Sequence, residues 1–301
     1  MNRFASRELS MLVALVAIWA FFAWQEPVFL SARNLSLLSV ELAVTAVLAL
    51  GMLVVLLPGQ IDLSAGSGVG LAGAVAAVLV FWHDVPAPVA LLVATLGAVL
   101  VWSAMGALIA IERIPAFIMT LGGLLVFRGL HWLVIENQTV PVVEGGSQNV
   151  YSQLTTYYLP DAGGYVLAGL AVAAIVASTL AARKRRQSHG FPVDDGELTF
   201  LKLFVLAQLV FLVVIVTSGY RGVPIALVIL GLVAVLVHQL VTNTPFGRYL
   251  YAIGGNEEAA VVSGVPVRNT IIGAYALMGG IVALTGFMQT AYSGASTSTV
   301  G

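Results

Sequence analysis

Cysteine is absent from the 301 residues, which excludes disulfides, thiol chemistry and zinc–thiolate sites. Charge is scarce too. Asp, Glu, Lys and Arg make up 9% of the chain, against about 25% in a typical soluble domain. The net charge is -1, so no basic surplus is available for nucleic acid. There is no G-x-x-x-x-G-K-[ST] loop, so the chain is not expected to hydrolyse ATP. It also offers no metal-ligand cluster and no nucleophile–base set, and neither catalytic residues nor metal ligands are expected. What fills the chain is hydrocarbon: 59% of residues are hydrophobic and the mean hydropathy is +1.00.

The apolar residues fall in long runs, without the short alternating segments of a membrane barrel. A helix needs about 20 apolar residues to cross the hydrocarbon core, and backbone polar groups there must be satisfied internally. The sequence therefore predicts an all-α, polytopic integral membrane protein of nine helices. They lie at roughly 9–24, 35–57, 64–82, 87–111, 115–135, 165–182, 199–217, 224–241 and 270–292. The first run follows Arg3 and Arg7, as in a secretory signal, but only Gln25-Glu26-Pro27 stands where a small-residue cleavage site is needed. It is expected to be a retained span.

Alternating spans with the N-terminus in the cytoplasm put Arg3, Arg7, Arg113, Arg183, Lys184, Arg185, Arg186, Lys202, Arg248 and Arg268 inside. Only Arg33 and Arg221 then lie outside, and Arg128 falls within a span. That segregation predicts a cytoplasmic N-terminus and supports the span count.

Three segments lie outside these runs. Residues 136–164 form an expected outer loop, with Tyr151, Tyr157 and Tyr158 suited to a membrane interface. Residues 183–197 form an expected cytoplasmic loop whose basic run sits beside lipid headgroups. The third, 242–269, holds a short helix. Asn256 is a good N-cap, and Glu257 and Glu258 follow in the positive first turn. Ala259 and Ala260 continue it, Gly264 can close it in the left-handed conformation, and Pro266 stops it. Such a helix is either a rigid knob for a partner's cleft or an interfacial connector, and the residues alone leave both open.

Gly247-Arg248, Tyr251-Ala252-Ile253-Gly254-Gly255-Asn256, Ala259-Ala260 and Ser263-Gly264 together resemble the cytoplasmic signature of ribose/xylose-type ABC sugar permeases. Gln60-Ile61-Asp62-Leu63-Ser64-Ala65-Gly66-Ser67 resembles that family's IDLS-x-GS segment, with Ala65 where Val is usual. Ile114-Pro115-Ala116-Phe117-Ile118-Met119-Thr120-Leu121 with Phe127-Arg128-Gly129 resembles its PFI-x-TL…RG block, with Ala116 where Pro or Ser is usual. Tyr158-Leu159-Pro160, the inserted helix pair at 165–217 and Tyr220-Arg221-Gly222-Val223-Pro224 resemble the xylose-type members.

The resemblance implies one transmembrane permease domain over 1–301, of the type II ABC importer architecture. It implies that Gly254, Gly255, Asn256, Glu257, Glu258, Ala259, Ala260, Ser263 and Gly264 form the coupling helix that docks on an ATPase. Three partners follow: an ABC ATPase pair that binds ATP-Mg, a second and identical permease chain, and a periplasmic sugar-binding protein. The expected setting is the lipid of a bacterial cytoplasmic membrane, the cargo a pentose such as xylose, and no cofactor is held by the chain itself. The family continues beyond the point matching Gly301, so a C-terminal truncation is expected.

Other polar groups stand within or beside the spans. Asp62 and Ser64 either cap the Gly-rich span or mark a break lining the sugar path, with Gly66, Gly70 and Ala74 giving one face for close packing. Glu41, Thr120 and Arg128 are further candidates for the path, although Arg128 also reaches the outer interface by extending its side chain. His131 lies one turn from Arg128, and His238 sits near a cytoplasmic membrane end. Two rival readings remain: an ion-coupled secondary transporter, for which Glu41 is the clear mid-span carboxylate, and a truncated, non-transporting remnant.

Overall fold

The computed structural model describes residues 3–143 and 148–298, with side chains from Leu9 onward. The side chains of Arg3 and Arg7, part of the outer loop and the last three residues lie outside the described ones. The long helices are α1 (Arg3–Gln25), α2 (Ala32–Leu56), α3 (Ala65–Phe81), α4 (Ala87–Glu112), α5 (Ala116–Val134), α7 (Asp161–Ser188), α8 (Gly196–Ser218), α9 (Ile225–Asn243) and α12 (Val267–Ser293). Each contains one of the nine predicted runs, give or take a residue or two at the ends. Among the described residues seven are long and apolar enough to cross a membrane, while Leu9–Gln25 and Ala65–Phe81 are shorter apolar helices. Three short helices accompany them: α6 (Val150–Thr156), α10 (Pro245–Gly255) and α11 (Glu257–Val262). Two-residue strands complete the list: β1 (Val140–Pro141), β2 (Tyr158–Leu159), β3 (Val223–Pro224) and β4 (Ala295–Ser296). β1 pairs antiparallel with β4, and β2 with β3.

The chain divides into two compact units. The larger comprises residues 40–157 and 225–301 and is organised around α12. Ala274, Tyr275, Met278, Val282 and Ala283 of that helix are almost fully buried, and it packs along α4 and α3. Its backbone comes close to α3 where glycines meet: a Cβ on Gly73 would lie 2.7 Å from the Gly286 carbonyl oxygen. Small residues at a crossing permit that approach. The face predicted from Gly66, Gly70 and Ala74 is only partly used, because Gly66 opens onto empty space and the tight contacts fall at Gly68 and Gly73. A second apolar cluster joins Val40, Val44, Val47 and Val54 of α2 to Val233, Val237 and Val241 of α9.

Tyr151 corrects an expectation. It is fully buried rather than interfacial, and its hydroxyl donates to the Gly73 carbonyl at 2.9 Å. The helix carrying it, α6, begins at a capping box between Asn149 and Ser152 and packs on α12.

The smaller unit comprises residues 1–39 and 158–224, with α7 against α8. The basic run read as loop is helical: α7 continues through Arg183–Arg186 to Ser188. Asp161 stands in its first turn and Arg185 and Arg186 in its last, an arrangement the helix dipole favours. The connection after it is held by Arg183 donating to Thr199 and by an ion pair of Lys202 with Asp194 at 2.5 Å. The hydrogen bond from Lys202, with its charge, holds the exposed Asp194 carboxyl below the usual range. At the other end Gly222, at φ 102, brings its backbone against the Leu159 carbonyl, and the Arg221 guanidinium lies 5.2 Å from the Tyr220 ring centroid.

Candidate functional site

Two features of the larger unit hold the residues singled out above. The first is the α9–α12 connection. Thr244 caps α10, accepting from the Gly247 N–H, and Pro245 opens it. Gly247, Leu250 and Ile253 face inward, while Arg248 and Tyr251 face out. Asn256 then ends one helix and starts the next: its N–H donates to the Ala252 carbonyl and its side chain accepts from the Ala259 N–H at 2.9 Å. The next helix, α11, is six residues long. Its stop has the Schellman pattern, with Val265 N–H on the Ala260 carbonyl, Gly264 N–H on that of Val261, and Gly264 at φ 79.

The pair is anchored on one side and bare on the other. Ala260 is buried, with Val265 packed in the core. Glu257, Glu258, Ala259 and Ser263 are exposed, and Val262 is 89% exposed. Valines this bare on a capped helix make an apolar knob of fixed shape. Sequence reasoning placed this short capped helix, but missed α10 before it. A Cβ on Gly254 would fall on the Leu57 carbonyl oxygen, so the end of α10 rests directly on the chain between α2 and α3.

That chain, from Leu57 to Ser64, is the second feature. Here α3 is only 17 residues, about 25 Å long, too short to cross a core of about 30 Å by itself. The irregular stretch before it is partly hydrogen-bonded within the protein, the way buried irregular backbone in a membrane protein is tolerated. Gly59 and Gln60 donate to Leu56 and Val55, and the Thr120 hydroxyl is shared between the Ala116 carbonyl of its own helix at 2.9 Å and the Ile61 carbonyl at 3.1 Å. Asp62 is 2% exposed. One carboxylate oxygen accepts from the Ser64 N–H at 2.8 Å and the Ser64 hydroxyl at 2.6 Å; the other accepts from the Trp102 indole at 2.8 Å. Neither Asp62 nor Ser64 caps α3 through its side chain. Asp62, itself held by Ser64, ties this stretch to α4 through Trp102.

Trp102 is the residue sequence reasoning missed. It packs on Phe127 of α5 with centroids 4.8 Å apart and the rings tilted by 31°, and a Cβ on Gly279 of α12 would lie 2.9 Å from its own. A Trp in mid-span, away from the interfacial belts, needs a partner for its N–H, and that need was the available signal.

Asp62, Ser64 and Thr120 thus come together, all buried. Glu41 and Arg128 do not join them: both are exposed, on α2 and α5. Arg128 borders an open groove of about 550 Å³ with Leu125, Gly129, His131, Trp132 and Ser298. His131 turns inward, 3.3 Å from the Ser296 hydroxyl.

A profile described as the permease component of branched-chain amino acid transport systems matches residues 34–301. The chain belongs to this permease family. Within it, the chain is 35% identical over 292 residues to the xylose transport system permease protein XylH of Escherichia coli (strain K12), covering 97% of this chain and 73% of that protein. To XylH of Haemophilus influenzae (strain ATCC 51907 / DSM 11121 / KW20 / Rd) it is 36% identical over 294 residues, covering 97% and 77%. To the ribose import permease protein RbsC of Escherichia coli (strain K12) it is 28% identical over 294 residues, covering 98% and 72%. No solved structure matches the chain. The resemblance to xylose- and ribose-type permeases therefore holds across nearly all of it. The permease is a multi-pass membrane transport subunit and not an enzyme.

Proposed function

We propose that this permease passes a pentose of the xylose class inward across a bacterial cytoplasmic membrane, driven by ATP-Mg bound to a separate ATPase that docks on α11. The observation that carries the reading is the rigid, capped helix α11 with Val262 almost wholly bare, in a chain 97% of which matches the XylH proteins. Selectivity rests with a periplasmic sugar-binding protein, and the permease supplies a weak, polar path. The pore forms between two copies of this chain. The exposed Glu41 of α2 supports that: a charged side chain facing lipid costs about 3 kcal/mol at mid-span, a cost that a second copy or the path would relieve.

The reading is tested with the ATPase and binding protein in reconstituted vesicles. Labelled xylose enters, and labelled leucine does not. Leucine uptake without pentose uptake would reverse the substrate assignment. The orientation has its own test, made simple by the absence of cysteine. An impermeant thiol reagent added to intact cells labels Gln148→Cys, beside the α6 cap, and leaves Ser188→Cys untouched. The opposite pattern would invert the topology.

A further inference from the structure

We propose that Asp62 and Thr120 are positioning residues for transport: the Leu57–Ser64 stretch carries movement of the α10–α11 pair to α4 and α5 inside the membrane. The proposal rests on the coupling role of α11 given above. One end of the stretch is in backbone contact with α10, where Gly254 lies on Leu57 and Pro58. No compressible side chain stands between them. Four and five residues further on, the stretch is fastened at Ile61, whose carbonyl lies 3.1 Å from the Thr120 hydroxyl that it shares with the Ala116 carbonyl at 2.9 Å, and at Asp62, which accepts from the Trp102 indole.

Between those points the chain is closed rather than slack. Pro58 fixes one φ, Gly59 turns the chain at φ 80, and the N–H groups of Gly59 and Gln60 are bonded back to the end of α2. A displacement at Leu57 is therefore delivered to Ile61 and Asp62. Trp102 receives it deep in the bilayer, ten residues and about 15 Å before the end of α4 at Glu112. Because Trp102 also packs on Phe127, Gly68 and Gly279, the motion reaches the place where α3, α4, α5 and α12 meet. Packed helices of this kind shift between discrete arrangements rather than deform continuously.

The test compares Asp62→Asn, Thr120→Val, Trp102→Phe and the Asp62→Asn/Trp102→Phe double variant in the complete complex. The reading is xylose taken up per ATP hydrolysed. Asn cannot accept from both Ser64 and Trp102, and Val deletes the hydroxyl at constant shape. Each of those two is expected to lower the ratio about tenfold, the size one such hydrogen bond supports. The double variant is expected to be no worse than Asp62→Asn, since both changes break one bond. A structural role alone would lower the amount of assembled complex and leave the ratio unmoved.

As a second readout, Ile61→Cys, whose side chain is exposed, is labelled with a maleimide with and without a non-hydrolysable ATP analogue. The rate is expected to differ between the two states, and the difference to vanish when Thr120→Val is added. Ratios within twofold of the parent for both Asp62→Asn and Thr120→Val, or equal labelling rates in a complex with normal uptake, would overturn the proposal. Failure of the coupling role itself looks different: Gly264→Val would then keep ATPase association and stimulation.

Discussion

Gly264→Val is expected to reach the membrane at parental levels and to lose ATPase association or stimulation, with uptake falling by at least about tenfold. The position has φ 79 and open space around the missing Cβ, so the penalty is in the backbone alone. An L residue in that conformation costs roughly 1–2 kcal/mol, and more when β-branched. Escape from it unwinds the stop of a six-residue helix, which has little else to hold it. The bare valines then lose their fixed position, while the buried body of the protein is unaffected. Two controls bracket the effect. Gly264→Asn keeps most of the activity, because Asn tolerates the left-handed region. Asn256→Ala removes one cap bond and costs about 1 kcal/mol of helix stability, a milder defect. Normal transport by a well-expressed Gly264→Val variant would return α11 to the role of a connector.

The long helices were legible because a membrane leaves the backbone so few options. Their ends were less so. Arg183–Arg186 read as a loop by charge, yet Lys and Arg are good helix formers and the end of α7 is where the dipole favours them. The helix α10 was hidden by glycines at 247, 254 and 255, although Thr244-Pro245 announces its start. At the buried break, Asp62, Ser64 and Thr120 were all singled out, but as cap or path. Their partners lie 40 residues away in Trp102 and 59 away across the Thr120–Ile61 bond, and no local pattern carries that pairing. Tyr151 misled for the same reason: a loop tyrosine reads as interfacial until the chain folds it onto Gly73.

Gly254 and Gly255 offer the sharpest separation of packing from partner contact, because they are neighbours with opposite surroundings. Gly254→Ala is expected to abolish uptake, and Gly255→Ala to transport within twofold of the parent. A Cβ at 254 would fall on the Leu57 carbonyl oxygen, 3.1 Å from its carbon and 3.4 Å from the Pro58 Cα. All three are backbone atoms, and the carbonyl cannot swing aside as a long side chain would. The end of α10 must lift off the Leu57–Ser64 stretch by an ångström or more, which breaks the backbone contact of Gly254 with Leu57 and Pro58. At Gly255 nothing lies within 4 Å, so the added methyl meets empty space and, if anything, firms the helix by about 0.5–1 kcal/mol. Uptake, surface expression and ATPase co-purification are measured for both. Gly254→Ala should appear in the membrane and still co-purify with the ATPase, since α11 and its exposed valines are intact. Equal loss of uptake in the two variants would mean that these glycines serve the partner's surface, and that the contact with Leu57 is incidental.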